Sequence, residues 1–196
     1  MSPRCGRRAA ITGALAVLAG CASPSPVLYT IATLPGAVQS GAPRVIVLQE
    51  VGLARYLERS QIVRSSENYR LDVESNNWWG EPLGAMLTRV LLEELGQRLP
   101  ESVVLGENGA VTATADATVA LTVQRLDEDA ARHLVLLGQA GVAFGARGVP
   151  ELESFRYTEP LPVPGVGGEV AAISTAVGQL ADRLAATLAA GHHRRR

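Results

Sequence analysis

Apolar residues recur every third or fourth position in two stretches of this chain. Leu83, Met86, Leu87, Val90, Leu91 and Leu95 form the first stripe, the spacing that gathers side chains on one face of an α-helix. Pro82 stands where the first turn tolerates a missing N–H, and Pro100 ends the run. A helix is therefore predicted from Pro82 to about Leu99, with Glu93, Glu94, Gln97 and Arg98 mostly on its opposite side. Val170, Ile173, Val177, Leu180, Leu184 and Leu188 form the second stripe and predict a helix from Glu169 to about Ala190.

Between the stripes the period changes to two. From Ala117 to Leu126, Val119, Leu121 and Val123 alternate with Thr118, Thr122 and Gln124, as in a strand with one buried face. Asp127-Glu128-Asp129 predicts a turn, and Arg132 to Phe144 a second long strand, so the two form a hairpin. Val45-Ile46-Val47-Leu48 is a continuous apolar run, suited to a central parallel strand buried on both faces. Shorter strands are predicted at Val27–Ile31, Gln61–Arg64, Tyr69–Val73, Ser102–Leu105 and Ser154–Thr158, and a short helical turn at Gly52–Glu58. Segments 35–43, 76–80 and 160–168 are polar or rich in Gly and Pro and predict loops. Two helices and a mixed set of strands imply one α/β domain, a mixed β-sheet with helices packed on it.

The N-terminus follows a different pattern. Arg4, Arg7 and Arg8 precede an apolar run from Ala9 to Ala19, and Leu18-Ala19-Gly20-Cys21 closes it. This is the layout of a secretory signal peptide, and the run is well short of the roughly 20 apolar residues that span a bilayer. A cysteine after a small-residue pair is the attachment point of a bacterial lipoprotein. The expected organisation is a signal peptide over 1–20, a lipidated Cys21, a Pro/Ser tether over 21–26, the folded domain over 27–190 and a basic tail over 191–196. Two or more acyl chains on Cys21 make a stable anchor. Ala22 follows the cysteine rather than the Asp associated with inner-membrane retention, so outer-membrane sorting is expected, facing the periplasm.

Charge adds an exclusion. Without the three arginines ahead of Cys21, 15 basic side chains stand against 19 acidic ones, a formal charge of −4. That balance does not suit a nucleic-acid binder. Cys21 would be the only cysteine of the mature chain, which leaves no internal disulfide. No HExxH or CxxC occurs, and no metal or cofactor is expected. His133 opens a strand, and His192-His193 lead into a run of arginines expected to be a solvated tail. Gly138, Gly141, Gly145 and Gly148 lack the lysine and helix of a phosphate loop and suit a bent, closely approached strand. Ser65 and Ser66 have no histidine–carboxylate partner nearby in sequence.

Binding residues are easier to find than catalytic ones. Tyr56-Leu57-Glu58-Arg59-Ser60-Gln61-Ile62-Val63 and Asn76-Asn77-Trp78-Trp79-Gly80-Glu81-Pro82-Leu83 concentrate the residue types that dominate binding hot spots. One tryptophan is expected to cap the core beneath the following helix, leaving the other to anchor a partner. Tyr56, Arg59, Gln61, Trp78 and Trp79 are the candidate partner-binding residues. The alternative is fold support, with Arg59 paired internally and Gln61 satisfying backbone groups.

These two segments carry a family resemblance. Tyr56 to Val63, then a short linker and a strand, then Trp78 to Leu83, is similar to the ABC-type transport auxiliary lipoproteins, the PqiC/YmbA-like proteins. Val170-Ala171-Ala172 and Leu180-Ala181 resemble the family's closing Ala-rich segment. Ser60 replaces a usual proline, Glu58 a usual Asp, and Trp78 doubles the tryptophan. The resemblance implies an anticodon-binding-domain-like α/β fold. It also implies an outer-membrane lipoprotein docking on a periplasm-spanning MCE-domain protein of the PqiB type, with phospholipid as cargo and a homo-oligomeric ring as its assembly. Two other readings stay open: an envelope scaffold, and a periplasmic hydrolase.

Overall fold

The computed structural model describes residues 25–194, except 112 and 146. Signal peptide, Cys21 and most of the tether lie outside the described residues. Among the described residues nine strands and two helices follow in the order β1 (Val27–Tyr29), β2 (Val45–Leu48), β3 (Gly52–Leu53), a 3₁₀ turn (Arg55–Leu57), β4 (Gln61–Ser65), β5 (Asp72–Trp79), α1 (Leu83–Arg98), β6 (Val103–Gly106), β7 (Ala117–Glu128), β8 (His133–Phe144), β9 (Glu151–Pro160) and α2 (Val166–His193). All nine strands join one mixed sheet. The expected architecture, helices packed on a mixed sheet in a single domain, is what forms.

The long strand β7 organises the sheet. On one side it pairs antiparallel with β8, which pairs antiparallel with β9. On its other side three strands share its length: β2 at Ala117–Val119, β3 at Thr122–Val123 and β4 at Glu128, all parallel. Beyond β2 lies β6, and beyond β4 lie β5 and β1. A bulge interrupts β7 between Val123 and Arg125, opposite Gly138. A Cβ at Gly138 would stand 2.2 Å from the Thr122 carbonyl oxygen and 2.6 Å from the Phe155 ring, so close backbone approach requires glycine there.

Both stripes pack as their spacing implies. Met86, Val90, Leu91 and Leu95 of α1 and Ile173, Val177, Leu180 and Leu184 of α2 are buried against Ile46, Leu48, Val119 and Leu136. Each such side chain contributes about 1.5–3 kcal/mol by leaving water. No helix among the described residues is long and apolar enough to cross a membrane.

Several expectations are corrected. β2 is parallel and internal but covered on one face: Ile46 and Leu48 are buried while Val45 and Val47 are half-buried. Four β-branched or aliphatic residues in a row suit either arrangement. The strand expected at Tyr69–Val73 instead runs Asp72–Trp79, so Asn76 and Asn77 are strand residues and not loop. β5 is bonded on both edges but half-exposed on both faces, and its sequence does not alternate. Gly52–Glu58 splits into β3 and the 3₁₀ turn. Asp127 and Glu128 are buried members of β7, and the turn begins at Asp129. The tail expected over 191–196 is helical through His193, and Arg194 lies 3.0 Å from Glu151.

Glu94 and Arg98 do not face solvent. Both are buried where α1 meets α2. The Arg98 guanidinium donates to Asp182 Oδ1 at 2.6 Å and to the carbonyls of Leu34, Glu94 and Gly178 at 3.1–3.3 Å. Glu94 Oε1 accepts the Leu34 N–H at 2.8 Å. Burial pushes the Glu94 carboxyl upward, with Leu34 and Arg98 opposing. Gly36 lines this site, and a Cβ there would sit 2.2 Å from the guanidinium carbon.

Candidate functional site

The fold brings the two candidate segments together. β4 and β5 lie antiparallel with Gln61 opposite Trp78, and the Trp79 N–H donates to the Ser60 carbonyl at 2.7 Å. Gly80 N–H donates to the Tyr29 carbonyl at 2.8 Å, which ties the end of β5 to β1. The chain then turns at Pro82 into α1. A groove of about 740 Å³ forms here, lined by Glu50, Leu53, Arg59, Trp79, Glu81 and Pro82 among others.

Each candidate has a distinct place. Arg59 is exposed on the groove wall, its Nε donating to the Tyr56 carbonyl at 2.8 Å. Trp79 is 7% exposed, joining the core below the groove. Trp78 points to the other sheet face, half-buried beside Leu28, with Nε1 donating to the Ser75 carbonyl at 3.2 Å. Gln61 is half-buried at the start of β4. Tyr56 turns inward, and its hydroxyl donates to Asp127 Oδ2 at 2.9 Å. Burial, reinforced by Asp127, raises the Tyr56 pKa. Among the described residues that line the groove the one cation is Arg59, over an apolar floor and among acidic rims, an arrangement suited to gripping another protein's polar and apolar groups. Trp79→Ala is expected to destabilise the fold by about 3 kcal/mol, since the ring is core. Urea unfolding reads it, and any binding defect of that variant reports folding first.

Tyr56 belongs to a charged network that the sequence did not announce. Arg64 Nε donates to Glu128 Oε1 at 2.9 Å, its Nη2 is paired with the same oxygen, and Nη1 reaches Glu74 at 3.2 Å. Arg125 holds Asp127 at 2.8 Å and Glu67 at 2.6 Å. Arg132 stands 3.4 Å from Glu128. Glu169, in the first turn of α2, is fully buried, with Arg64 Nε 2.8 Å from its Oε2. That N–H is aimed at Glu128, so neither Glu169 oxygen receives a hydrogen bond. Five carboxyl groups meet three guanidiniums, and Glu169 is the one served worst. Burial raises its pKa from 4.5 to about 8, with Arg64 opposing and Glu128, Asp127 and Glu74 adding. The available signal was positional: Glu169 lies four residues before Ile173, on the buried stripe of α2.

This gives a pH dependence of defined sign. The folded-state pKa of Glu169 exceeds its unfolded value, so its contribution is fully present below about pH 4.5 and is lost as pH rises through about 8. Glu169→Gln is expected to gain about 2 kcal/mol on the wild type between pH 5 and pH 9, at about 1.4 kcal/mol per unit with part of the shift shared by its neighbours. Urea midpoints across that range test it. A constant difference would show that Glu169 does not titrate there.

His133 opens β8, half-exposed, with its N–H donating to Asp129 Oδ1 at 2.9 Å. That bond, despite slight desolvation, lowers the Asp129 pKa. Among the described residues no group of three His, Cys, Asp or Glu side chains could hold a metal ion.

Comparison with known proteins agrees with this architecture. A family model described as ABC-type transport auxiliary lipoprotein component matches residues 28–185. The chain superposes on the crystal structure of an uncharacterised protein with TM-score 0.70 at 18% identity, over 83% of this chain and 97% of that one. It superposes equally, at 15% identity and over 86% and 99% of the two chains, on a Xanthomonas campestris protein from a family of unknown function. PelC of Paraburkholderia phytofirmans, crystallised as a dodecamer, is far more distant at TM-score 0.41 and 10% identity, over 78% and 94% of the chains, and its assembly does not carry over. No curated protein matches.

Proposed function

This chain belongs to the ABC-type transport auxiliary lipoprotein family, and on that premise we propose that it is the outer-membrane lipoprotein of an MCE-type intermembrane lipid transport system. Cys21 carries the acyl anchor, and the folded domain docks on a periplasm-spanning MCE-domain protein of the PqiB type. The protein works without catalysis, as a homo-oligomeric ring at the end of a phospholipid conduit, and supports envelope integrity.

One observation carries the docking reading. Two segments about 15 residues apart in sequence, Tyr56–Val63 and Trp78–Leu83, converge on one groove. Arg59 is exposed on its wall, while Trp79 and Tyr56 hold the wall in place from inside. Arg59 therefore tests contact and the other two test folding. In Arg59→Glu, reversed charge on the groove is expected to reduce recovery of the MCE protein after crosslinking in intact cells at least about tenfold, as loss of a central arginine contact does. Lipidation and the unfolding midpoint should stay at wild-type values. Undiminished recovery would place docking elsewhere on the domain. Recovery of no transporter component by the wild type would favour the scaffold reading.

A further inference from the structure

The sheet has a row that crosses five strands at one level: Asp72 pairs with Ser65, Ser65 with Glu128, Glu128 with Leu134, and Leu134 with Glu159. Everything beyond that row leaves the sheet at the same end. It comprises the β4–β5 turn at 66–71, the β7–β8 turn at 129–132, and the β9–α2 loop at 161–165. Each of the first and third of these segments presents apolar side chains to solvent. Tyr69 is completely exposed, Val163 is 56% exposed and Leu71 is 44% exposed.

The Tyr69 backbone makes this costly to explain as chance. Arg70 N–H donates to the Glu67 carbonyl, and Asn68 and Tyr69 between them have φ of 55° and 61°. That is a type I′ turn, whose second central position normally holds glycine. Here an aromatic ring occupies it and points into solvent.

The chain also arrives from this end. β1 runs parallel to β5 with Val27 beside Asn77, so the residues before Val27 lead back along β5 toward Asp72. Asn77 lies five residue steps from that row, about 17 Å. Val27 lies six residue steps after Cys21, a reach of about 20 Å. A lipid on Cys21 can therefore be level with the turns. We propose that the three turns form a membrane-contact surface, with Tyr69, Leu71 and Val163 entering the lipid headgroup region of the bilayer that holds the acylated Cys21.

The surface rests on the lipoprotein reading and adds an orientation to it. Tyr and aliphatic side chains beside arginines are the composition favoured at membrane interfaces. The turns carry Arg70 and Arg132 against Glu67 and Asp129, with Arg132 3.4 Å from Glu128 and Glu67 held by Arg125. The charges nearly cancel, so insertion is apolar and insensitive to salt. The groove with Arg59 and Trp79 lies at the other end of β4 and β5, turned away from the bilayer.

The test uses full-length acylated protein reconstituted into phosphatidylethanolamine–phosphatidylglycerol vesicles. Tyr69→Cys and Val163→Cys, made separately, each carry an environment-sensitive fluorophore; the Cys21 thiol is blocked by its lipid. Val149→Cys, at the opposite end and 80% exposed, is the control. Blue-shifted emission quenched by brominated lipid at 69 and 163, absent at 149 and unchanged at high salt, is the expected result. Unshifted, unquenched label at 69 and 163 on protein that floats with the vesicles would overturn the surface while leaving the anchor intact. Protein that neither floats nor carries acyl mass on Cys21 would remove the anchor reading, and the surface with it. Protection of position 69 only in intact cells would assign the turns to a protein partner and overturn the lipid assignment.

Discussion

Arg64→Ala is expected to cost about 4 kcal/mol, the scale for removing one member of a buried ion network. For a domain of this size that lowers the melting temperature by about 10 °C. The cost comes from what is left behind. Arg64 is the cation nearest Glu128, Glu74 and Glu169, and alanine would leave three carboxyl groups facing one another beneath the start of α2. Neutralising one should recover part of the loss. Glu169→Gln in the Arg64→Ala background is therefore expected to be more stable than Arg64→Ala alone, at pH 8 more than at pH 5. Thermal unfolding of the two single variants and the double variant measures that coupling. Strict additivity would mean that Arg64 and Glu169 do not interact.

Arg98→Ala is expected to cost a similar amount, about 4 kcal/mol, for a different reason. Its guanidinium fork serves Asp182 and the Leu34 and Gly178 carbonyls at once, and so clamps α1, α2 and the loop after β1. Alanine leaves those carbonyls without their donor and the buried Glu94 carboxyl without the cation 3.6 Å from it. Lysine offers no planar fork, so Arg98→Lys should restore little. Arg98→Met combined with Glu94→Leu should restore most of the loss, because a buried ion pair replaced by apolar side chains of similar volume is often neutral. Urea unfolding of the four variants decides it. A double variant as unstable as Arg98→Ala would show that the fork does more than neutralise Glu94.

These two sites also mark where the sequence was hard to read. Helices α1 and α2 were legible because their apolar stripes repeat at helical spacing and Pro82 and Pro100 bracket the first. β7 was legible because its residues alternate against the core as far as Gln124, and β8 because a long apolar run follows the polar turn. Glu94, Arg98 and Glu169 lie on buried helix faces, yet polarity alone assigns such residues to solvent. Only the partners contributed by distant segments, Leu34, Gly178 and Arg64, make their burial affordable. β5 was misplaced because both its edges are bonded while both faces are partly wet, so DVESNNWW carries no period. Of the candidate site, the two segments were found as motifs, but their roles separated only in three dimensions. Trp79 and Tyr56 turn inward, and Arg59 faces the groove.

The proposed orientation turns the acylated end and the apolar turns toward the bilayer and the Arg59 groove toward a protein. A photo-crosslinking amino acid placed at position 59 and, separately, at position 69 of the full chain in living cells tests that direction most directly. Trapping of an MCE-domain protein from position 59, with position 69 trapping lipid and none of that protein, is the expected result. The reverse pattern, or no MCE-domain protein from either position at normal abundance and lipidation, would contradict it.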